Sequence, residues 1–322
     1  MLAVILAGAG AYFLLIAPFG PNHAQIVNIP PGTSVWKIAT ELKENGVIRS
    51  RDAFAVWARV ETGTLKAGTY RFDHPAPLTE VYDRLQRGDV YTIALTIPEG
   101  YNIFDIAQAV WQAGLGKDED FLTAEQQGTD LIHDLDPTAQ SLEGYLFPDT
   151  YQVSPNTAPR EMLAGMVRRF RQATAPLGLK TDVHTVVTMA SLVERETPVE
   201  ADRPLVAGVF TNRLAKGMPL DTDPSVIYAA LLEKRYRGTI YASDLKADSS
   251  YNTYVHVGLP PGPICNPGLP SLRASMQPAK TEYLYFVSDP EQPGHSRFAT
   301  TLEEHQKNVT AYRNEQHRGS GR

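Results

Sequence analysis

The chain has 322 residues, more than twice a typical domain of ~150, so two or three folded units are expected rather than one. With 43% hydrophobic and 20% charged residues it has enough apolar material for real cores, which excludes a disordered or low-complexity chain. A net charge of −6 excludes a general electrostatic affinity for nucleic-acid phosphates, and Cys265 as the sole cysteine excludes an internal disulfide or a multi-thiolate metal site.

Met1 to Gly20 carries no charge and reads as an apolar helix long enough for a membrane anchor. The rival is a cleaved signal peptide with Ala7-Gly8-Ala9 as its small residues, but no positively charged region precedes it and the apolar run continues past that point. No second apolar run of that length follows, so the body is expected on one side, the outer one.

From Gln25 to about Val110, short strands alternate with short amphipathic helices. Ile26-Val27-Asn28-Ile29 leads through Pro30-Pro31-Gly32 to Ser34, a helix cap, and a helix carrying Ile38 and Leu42 on one face. The phrase recurs at Thr96 to Gly100, followed by Asn102 and a helix with Ile103, Ile106, Ala107 and Val110. Between them, Ala67 to Phe72 predicts a strand and Leu78 to Leu85 a helix. Ala113 to Ser141 is polar and connecting, with a helix or two. Leu142 to Tyr151 packs three aromatics, a Gly and a Pro into ten residues, as a structured loop does. Helices are expected at Pro159 to Ala173, Asp182 to Arg195, Ala201 to Lys216, Pro224 to Leu232 and near Leu302 to Arg313, with a hairpin over Tyr283 to Val287 and Gly294 to Phe298.

The helix through Thr185 to Thr197 ends with Glu194 and Glu196. A carboxyl beside an apolar surface has a raised pKa and suits a general acid working near neutrality. Periodicity puts the two on opposite shoulders of the apolar stripe, with Arg195 pointing away, and does not choose between them. Glutamates at a helix end are as a rule solvated surface groups. Asp221 and Asp223 alone are a weak metal signature, and Asp223 reads as the cap of a helix starting at Pro224. The eight histidines show no metal-ligand spacing, and no phosphate loop or serine-hydrolase elbow is present. Tyr251, Asn252 and Tyr254, followed by the Gly258 to Ile264 Pro/Gly loop, combine aromatic faces that stack on sugar rings with an amide that bonds hydroxyls; a packed structural loop has the same composition.

These segments together resemble the YceG-like, or MltG, family of endolytic murein transglycosylases. The residues that carry the resemblance are Leu142 to Tyr151, Ala190 to Thr197, Asn212-Arg213-Leu214, Met218 to Pro224, Tyr251 to Tyr254, Gly258 to Ile264 and Ala279 to Val287 with Gly294-His295. The resemblance implies an α+β architecture: a transmembrane anchor at 1–20, a LysM-like module at 21–112 and a mainly helical catalytic domain at 113–322. It implies cleavage of the N-acetylmuramic acid β-1,4 N-acetylglucosamine bond within peptidoglycan strands, without water or cofactor. The products carry 1,6-anhydromuramyl ends, and strand elongation is terminated. Because the sugar's own C6 hydroxyl attacks, one glutamate serves as acid and then base. Related enzymes follow that glutamate with a small hydroxyl residue, which selects Glu196 before Thr197, with Glu194 second.

Tyr251 and Asn252 resemble a cleft-lining pair, while Glu143, Tyr145, Asp221 and Asp223 either contact glycan or hold the cleft together. The implied partners are glycan strands and peptidoglycan synthases at the bacterial cytoplasmic membrane, with no nucleic acid. The LysM-like region would hold glycan or position the catalytic domain. A non-catalytic glycan-binding scaffold and a hydrolytic muramidase are the rivals.

Overall fold

A computed structural model describes residues 1–180 and 182–319, and side chains of 2–4, 7 and 316–319 lie outside that description. The chain forms two compact units, Met1–Leu95 with Tyr151–Thr157, and Thr96–Thr150 with Ala158–Arg322.

The first unit begins with α1 (Leu2–Leu15) and continues through β1 (Gln25–Ile29), α2 (Val35–Glu44), α3 (Arg51–Val60), β2 (Gly68–Phe72) and α4 (Leu78–Arg87). β1 and β2 pair antiparallel, with Val27 opposite Tyr70 and Ile29 opposite Gly68. Alternation along β1 buries Val27 and Ile29 and leaves Ile26 and Asn28 outside. Ser34 accepts from the Lys37 amide and so caps α2 as expected. Leu78, Val81, Tyr82 and Leu85 give α4 one buried stripe, and Gly88 ends it in the left-handed conformation that glycine adopts without steric cost. These residues share a core with Ile38, Leu42, Phe54 and Phe72.

Two differences from expectation have local causes. The helix at Arg51–Val60 is not among the expected elements; its signal is Ser50, which accepts from the Ala53 amide, but only Phe54 and Ala55 are buried, so the apolar period is weak. At the N-terminus α1 is 14 residues long, about 21 Å at ~1.5 Å per residue. Among the described residues no helix is long and apolar enough to cross a membrane. Arg49 donates to the carbonyls of Phe13, Ala17 and Pro18 just where this helix stops.

β3 (Ile93–Ile97) and β4 (Asp149–Val153) pair with each other, and the chain passes between the units within them. The second unit contains α5 (Ile103–Gln112), α6 (Asp118–Gln126), α7 (Pro159–Thr174), α8 (Val183–Glu196), α9 (Arg203–Ala215), α10 (Asp223–Leu232), α11 (Leu269–Met276), the antiparallel hairpin β5 (Tyr285–Ser288) and β6 (Ser296–Ala299), and α12 (Leu302–Gly319). The repeated strand-turn-helix phrase is present, and Asn102 caps α5 in a capping box with Asp105. This second copy falls in the second compact unit, which begins at Thr96. The reason is hydrogen bonding: Gly100 donates to the Asn266 carbonyl, Asn266 to the Tyr101 carbonyl, and Ile103 to the Glu143 carboxyl.

α8 is the centre of this unit. Its residues from Val187 to Val193 are all buried, and it packs against α9, α10 and α11. Met189, Leu192 and Val193 share a core with Val206, Phe210, Leu220, Tyr228 and Ile264. The 142–148 loop closes on α8 through Gly144, at φ +89; a Cβ there would lie 2.6 Å from both Pro263 and Val187.

Candidate active site

The last turn of α8 sends its two glutamates to different places. Glu194 is buried, with Oε1 accepting from Arg203 at 3.0 Å and Oε2 accepting from the Gly268 amide at 3.0 Å. Arg203 also lies 3.6 Å from Glu99, and these residues line a cavity of about 340 Å³ together with Arg195, Thr197 and Pro198. With both oxygens engaged, Glu194 has the bonding of a structural carboxylate.

Glu196 opens instead into a cavity of about 420 Å³ lined by Arg213, Asp221, Asp223, Tyr254, Tyr285 and His305, among others. Burial, followed by the negative charge of Asp223, pushes its carboxyl up to about 7, against the opposing charges of Arg195 and Arg213. A carboxyl at that value holds its proton near neutrality and can both release and retake it.

The two motifs around this cavity are stitched into one clasp. Thr222 donates its amide to the Thr253 hydroxyl at 3.0 Å, Asp221 donates to the Thr253 carbonyl, and Ser225 bonds the same hydroxyl at 2.9 Å. Asp221 lies in the left-handed region at φ +53, a strained placement for a residue with a Cβ. Its carboxyl accepts from Arg213, and burial raises its pKa while Arg213 opposes. Asp223 is not the expected cap: Thr222 holds that position and makes no side-chain capping bond. Instead Asp223 is the first helical residue, and its carboxylate accepts from the Tyr254 hydroxyl at 2.7 Å. Burial and Asp223 both hold the proton on that phenol.

The remaining expected residues stand outside the cavity lining. Asn252 spends its amide on the carbonyls of Asp244, Leu245 and Ala247, and its Oδ1 accepts from the Tyr254 amide, so it shapes the turn that presents Tyr254. Tyr251 packs its ring 5.2 Å from Tyr228, and burial followed by the Glu143 charge pushes its phenol up to about 12. Glu143 is fully buried, receives Ile103 and the Asn266 side chain, and has its pKa raised well above the usual carboxyl range by burial. Tyr145 donates to Asp136 and sets its ring edge on Phe170. Both hold the loop against α5 and α7 and do not reach the cavity.

Among the lining residues with no role assigned from the sequence are Arg213, Tyr285 and His305. Arg213 donates to the carbonyls of Pro219, Leu220 and Leu284 and to Asp221, tying α9 to the cavity floor and to β5. Tyr285 lies under its guanidinium at 5.3 Å, and His305 stacks on Tyr285. An arginine within the Asn212-Arg213-Leu214 phrase is the available signal; His305 sits on a largely exposed helix and gives none.

The YceG-like family model matches residues 27–311. The chain belongs to the YceG-like family. It is 36% identical over 307 residues to the endolytic murein transglycosylase of Bacillus subtilis (strain 168), covering 89% of this chain and 84% of that protein. It is 34% identical over 351 residues to the endolytic murein transglycosylase of Streptococcus pneumoniae serotype 2 (strain D39), covering 96% of this chain and 63% of that longer protein. A crystal structure of a yceG-like protein from Listeria monocytogenes matches with a TM-score of 0.60 at 33% identity, covering 89% of this chain and 99% of that one. The family match spans both units, and all residues lining the Glu196 cavity fall within it.

Proposed function

We propose that this YceG-like chain is an endolytic murein transglycosylase, a lyase that cuts peptidoglycan strands internally, with Glu196 as its acid and base. The observation that carries the assignment of Glu196 is its carboxyl raised to about 7 in an open cavity beside two further carboxylates. Glu196 gives its proton to the glycosidic oxygen as the bond from muramic acid C1 to that oxygen breaks. Positive charge then develops on the ring, and the carboxylates of Asp221 and Asp223 stabilise it electrostatically. The muramic acid C6 hydroxyl attacks C1 and returns its proton to Glu196, which closes the 1,6-anhydro ring and regenerates the acid. One carboxyl suffices because no water is activated, in contrast to the two-carboxylate arrangement of hydrolytic glycosidases.

Three finer readings belong with this one. The uncharged Met1–Gly20 segment exposes Ile5, Leu6, Tyr12 and Phe13, which supports membrane anchorage; the reading sets that anchor in the bacterial cytoplasmic membrane with the body on the outer side. The module at 21–112 would act as a LysM-like glycan holder. Peptidoglycan synthases would supply the strands that this enzyme terminates.

The test is digestion of purified peptidoglycan by the full chain and by Glu196→Gln, with strand ends identified by mass spectrometry. Anhydromuramyl ends that disappear in the variant are expected. Reducing muramic acid ends would establish a hydrolase, and retention of glycan without new ends would establish a binding scaffold. An undiminished variant would move the role to Glu194.

A further inference from the structure

α12 contributes Leu302 and His305 to the cavity that holds Glu196. The imidazole lies on the Tyr285 ring with centroids 5.2 Å and planes 20° apart. Its two nitrogens differ. Nδ1 is enclosed and, among the described residues, has no hydrogen-bond partner. An enclosed N–H without an acceptor is the costlier arrangement, so the neutral ring carries its proton on Nε2 and leaves Nδ1 as a bare lone pair. Burial, followed by the positive charge of Arg213, lowers the His305 pKa, which acts in the same direction. The charged and titratable groups of this cavity are Glu196 from α8, Arg213 from α9, Asp221 and Asp223 around the start of α10, and Tyr254 and Tyr285; Glu303 and Glu304 lie on the histidine's own helix and are exposed.

The cavity is rich in acceptors, and two of the other donor residues are engaged. Arg213 spends Nε and Nη1 on three carbonyls and Asp221, and the Tyr254 hydroxyl is given to Asp223. Carboxylates receive sugar hydroxyls readily, but an acetamido carbonyl oxygen only accepts and needs a donor.

We propose that His305 is a substrate-binding residue that donates from Nε2–H to the acetamido carbonyl oxygen of the amino sugar in the Glu196 cavity. This rests on the glycan-cleaving role proposed above, and makes the enzyme selective for N-acetylated strands.

The experiment measures kcat/KM for anhydromuramyl-end formation by the full-length wild type, His305→Phe and His305→Gln, on N-acetylated strands and on the same strands chemically de-N-acetylated. Phenylalanine keeps the stack on Tyr285 and removes the donor; glutamine keeps an N–H donor. On N-acetylated strands, His305→Phe is expected to lose about tenfold, the size of one hydrogen bond, with His305→Gln retaining most of the wild-type value. On de-N-acetylated strands, wild type and His305→Phe are expected to coincide. Equal losses on both substrates, or no loss on either, would overturn the proposal. Melting temperatures identify a variant that fails by unfolding, and His305→Gln then decides between the two substrates. Wild type that forms no anhydromuramyl ends on N-acetylated strands would instead overturn the cleaving role itself.

Discussion

Glu194 and Glu196 are two residues apart on one helix, and their surroundings differ in the respect that separates a structural carboxylate from a working one. On the Glu194 side, a buried arginine stands between two carboxylates and a backbone amide completes the shell. On the Glu196 side burial and the negative charge of Asp223 outweigh the opposing charges of Arg195 and Arg213, Arg213 is occupied by backbone carbonyls and Asp221, and an open cavity adjoins the carboxyl. Identical side chains thereby acquire opposite surroundings: matched donors satisfy the first, whereas burial without matched donors raises the pKa of the second.

The largest effect expected from this contrast is on turnover. Glu196→Gln removes the proton donor while keeping shape, and a loss of about 10²- to 10⁴-fold in kcat is expected, with the melting temperature of wild type or above. Glu194→Gln is expected to keep most of its kcat while losing stability. If the two losses in kcat came out reversed, the contrast between the two sides would be wrong.

Arg203→Met breaks the pairing on the Glu194 side. It leaves Glu194 and Glu99 side by side without their shared cation, the arrangement that already raises the Glu99 pKa through burial and the Glu194 charge. Removing one partner of a buried pair costs about 3–5 kcal/mol, readable as a lowered urea midpoint. Folded Arg203→Met is expected to cleave with near-normal kcat. A normal midpoint would show that the ion pair contributes little.

Part of this contrast is legible in the amino-acid order itself. The 3.6-residue period puts the glutamates on opposite shoulders of α8, and the apolar runs give α7 to α10 and the β5–β6 hairpin to within a few residues. What each shoulder faces is not legible, because Arg203, Asp223 and Tyr254 arrive from other elements. Tyr251-Asn252-Thr253-Tyr254 reads as one motif, yet its four side chains separate in space: Tyr251 to the core, Asn252 to its own turn, Thr253 to the Thr222 clasp and Tyr254 to the cavity. The local pattern at Asp223 fits a helix cap, and only the Tyr254 hydroxyl 2.7 Å away, distant in sequence, explains why its carboxylate turns outward. The division of the compact units at Leu95/Thr96 has a similar origin, since Asn266 and Glu143, far along the chain, hold the strand-helix phrase that resembles the first unit's own.

The pH dependence sharpens the comparison further. As the proposed acid, Glu196 must be protonated to act, so kcat/KM is expected to be high below about 7 and to fall as pH rises through that value. Asp223 raises this pKa, so Asp223→Asn is expected to move the falling limb to lower pH, whereas Glu194→Gln leaves it in place. The stability sign follows the same shift. A carboxyl raised from 4.5 to about 7 in the fold makes the native state lose stability as pH rises between those values, and Glu196→Gln removes that loss. Unfolding midpoints at pH 5 and pH 8 for the two proteins check it; equal slopes would mean that Glu196 titrates normally.

The smallest effect tests whether Tyr254 matters through Asp223. Tyr254→Phe deletes the hydroxyl that donates to the Asp223 carboxylate and keeps the ring. Asp223 is exposed, so water replaces the lost donor and the stability change is expected to stay within about 1 kcal/mol. Electrostatically, that hydroxyl neutralises part of the Asp223 charge, and without it Asp223 repels the Glu196 carboxylate more strongly. The falling limb of the pH profile is therefore expected to move up, opposite in sign to Asp223→Asn. In Tyr254→Phe/Asp223→Asn the phenylalanine is expected to add no further shift, because the charge it acted through is gone. A Tyr254→Phe profile superimposing on wild type would separate Tyr254 from the proton on Glu196 and leave it a wall of the cavity.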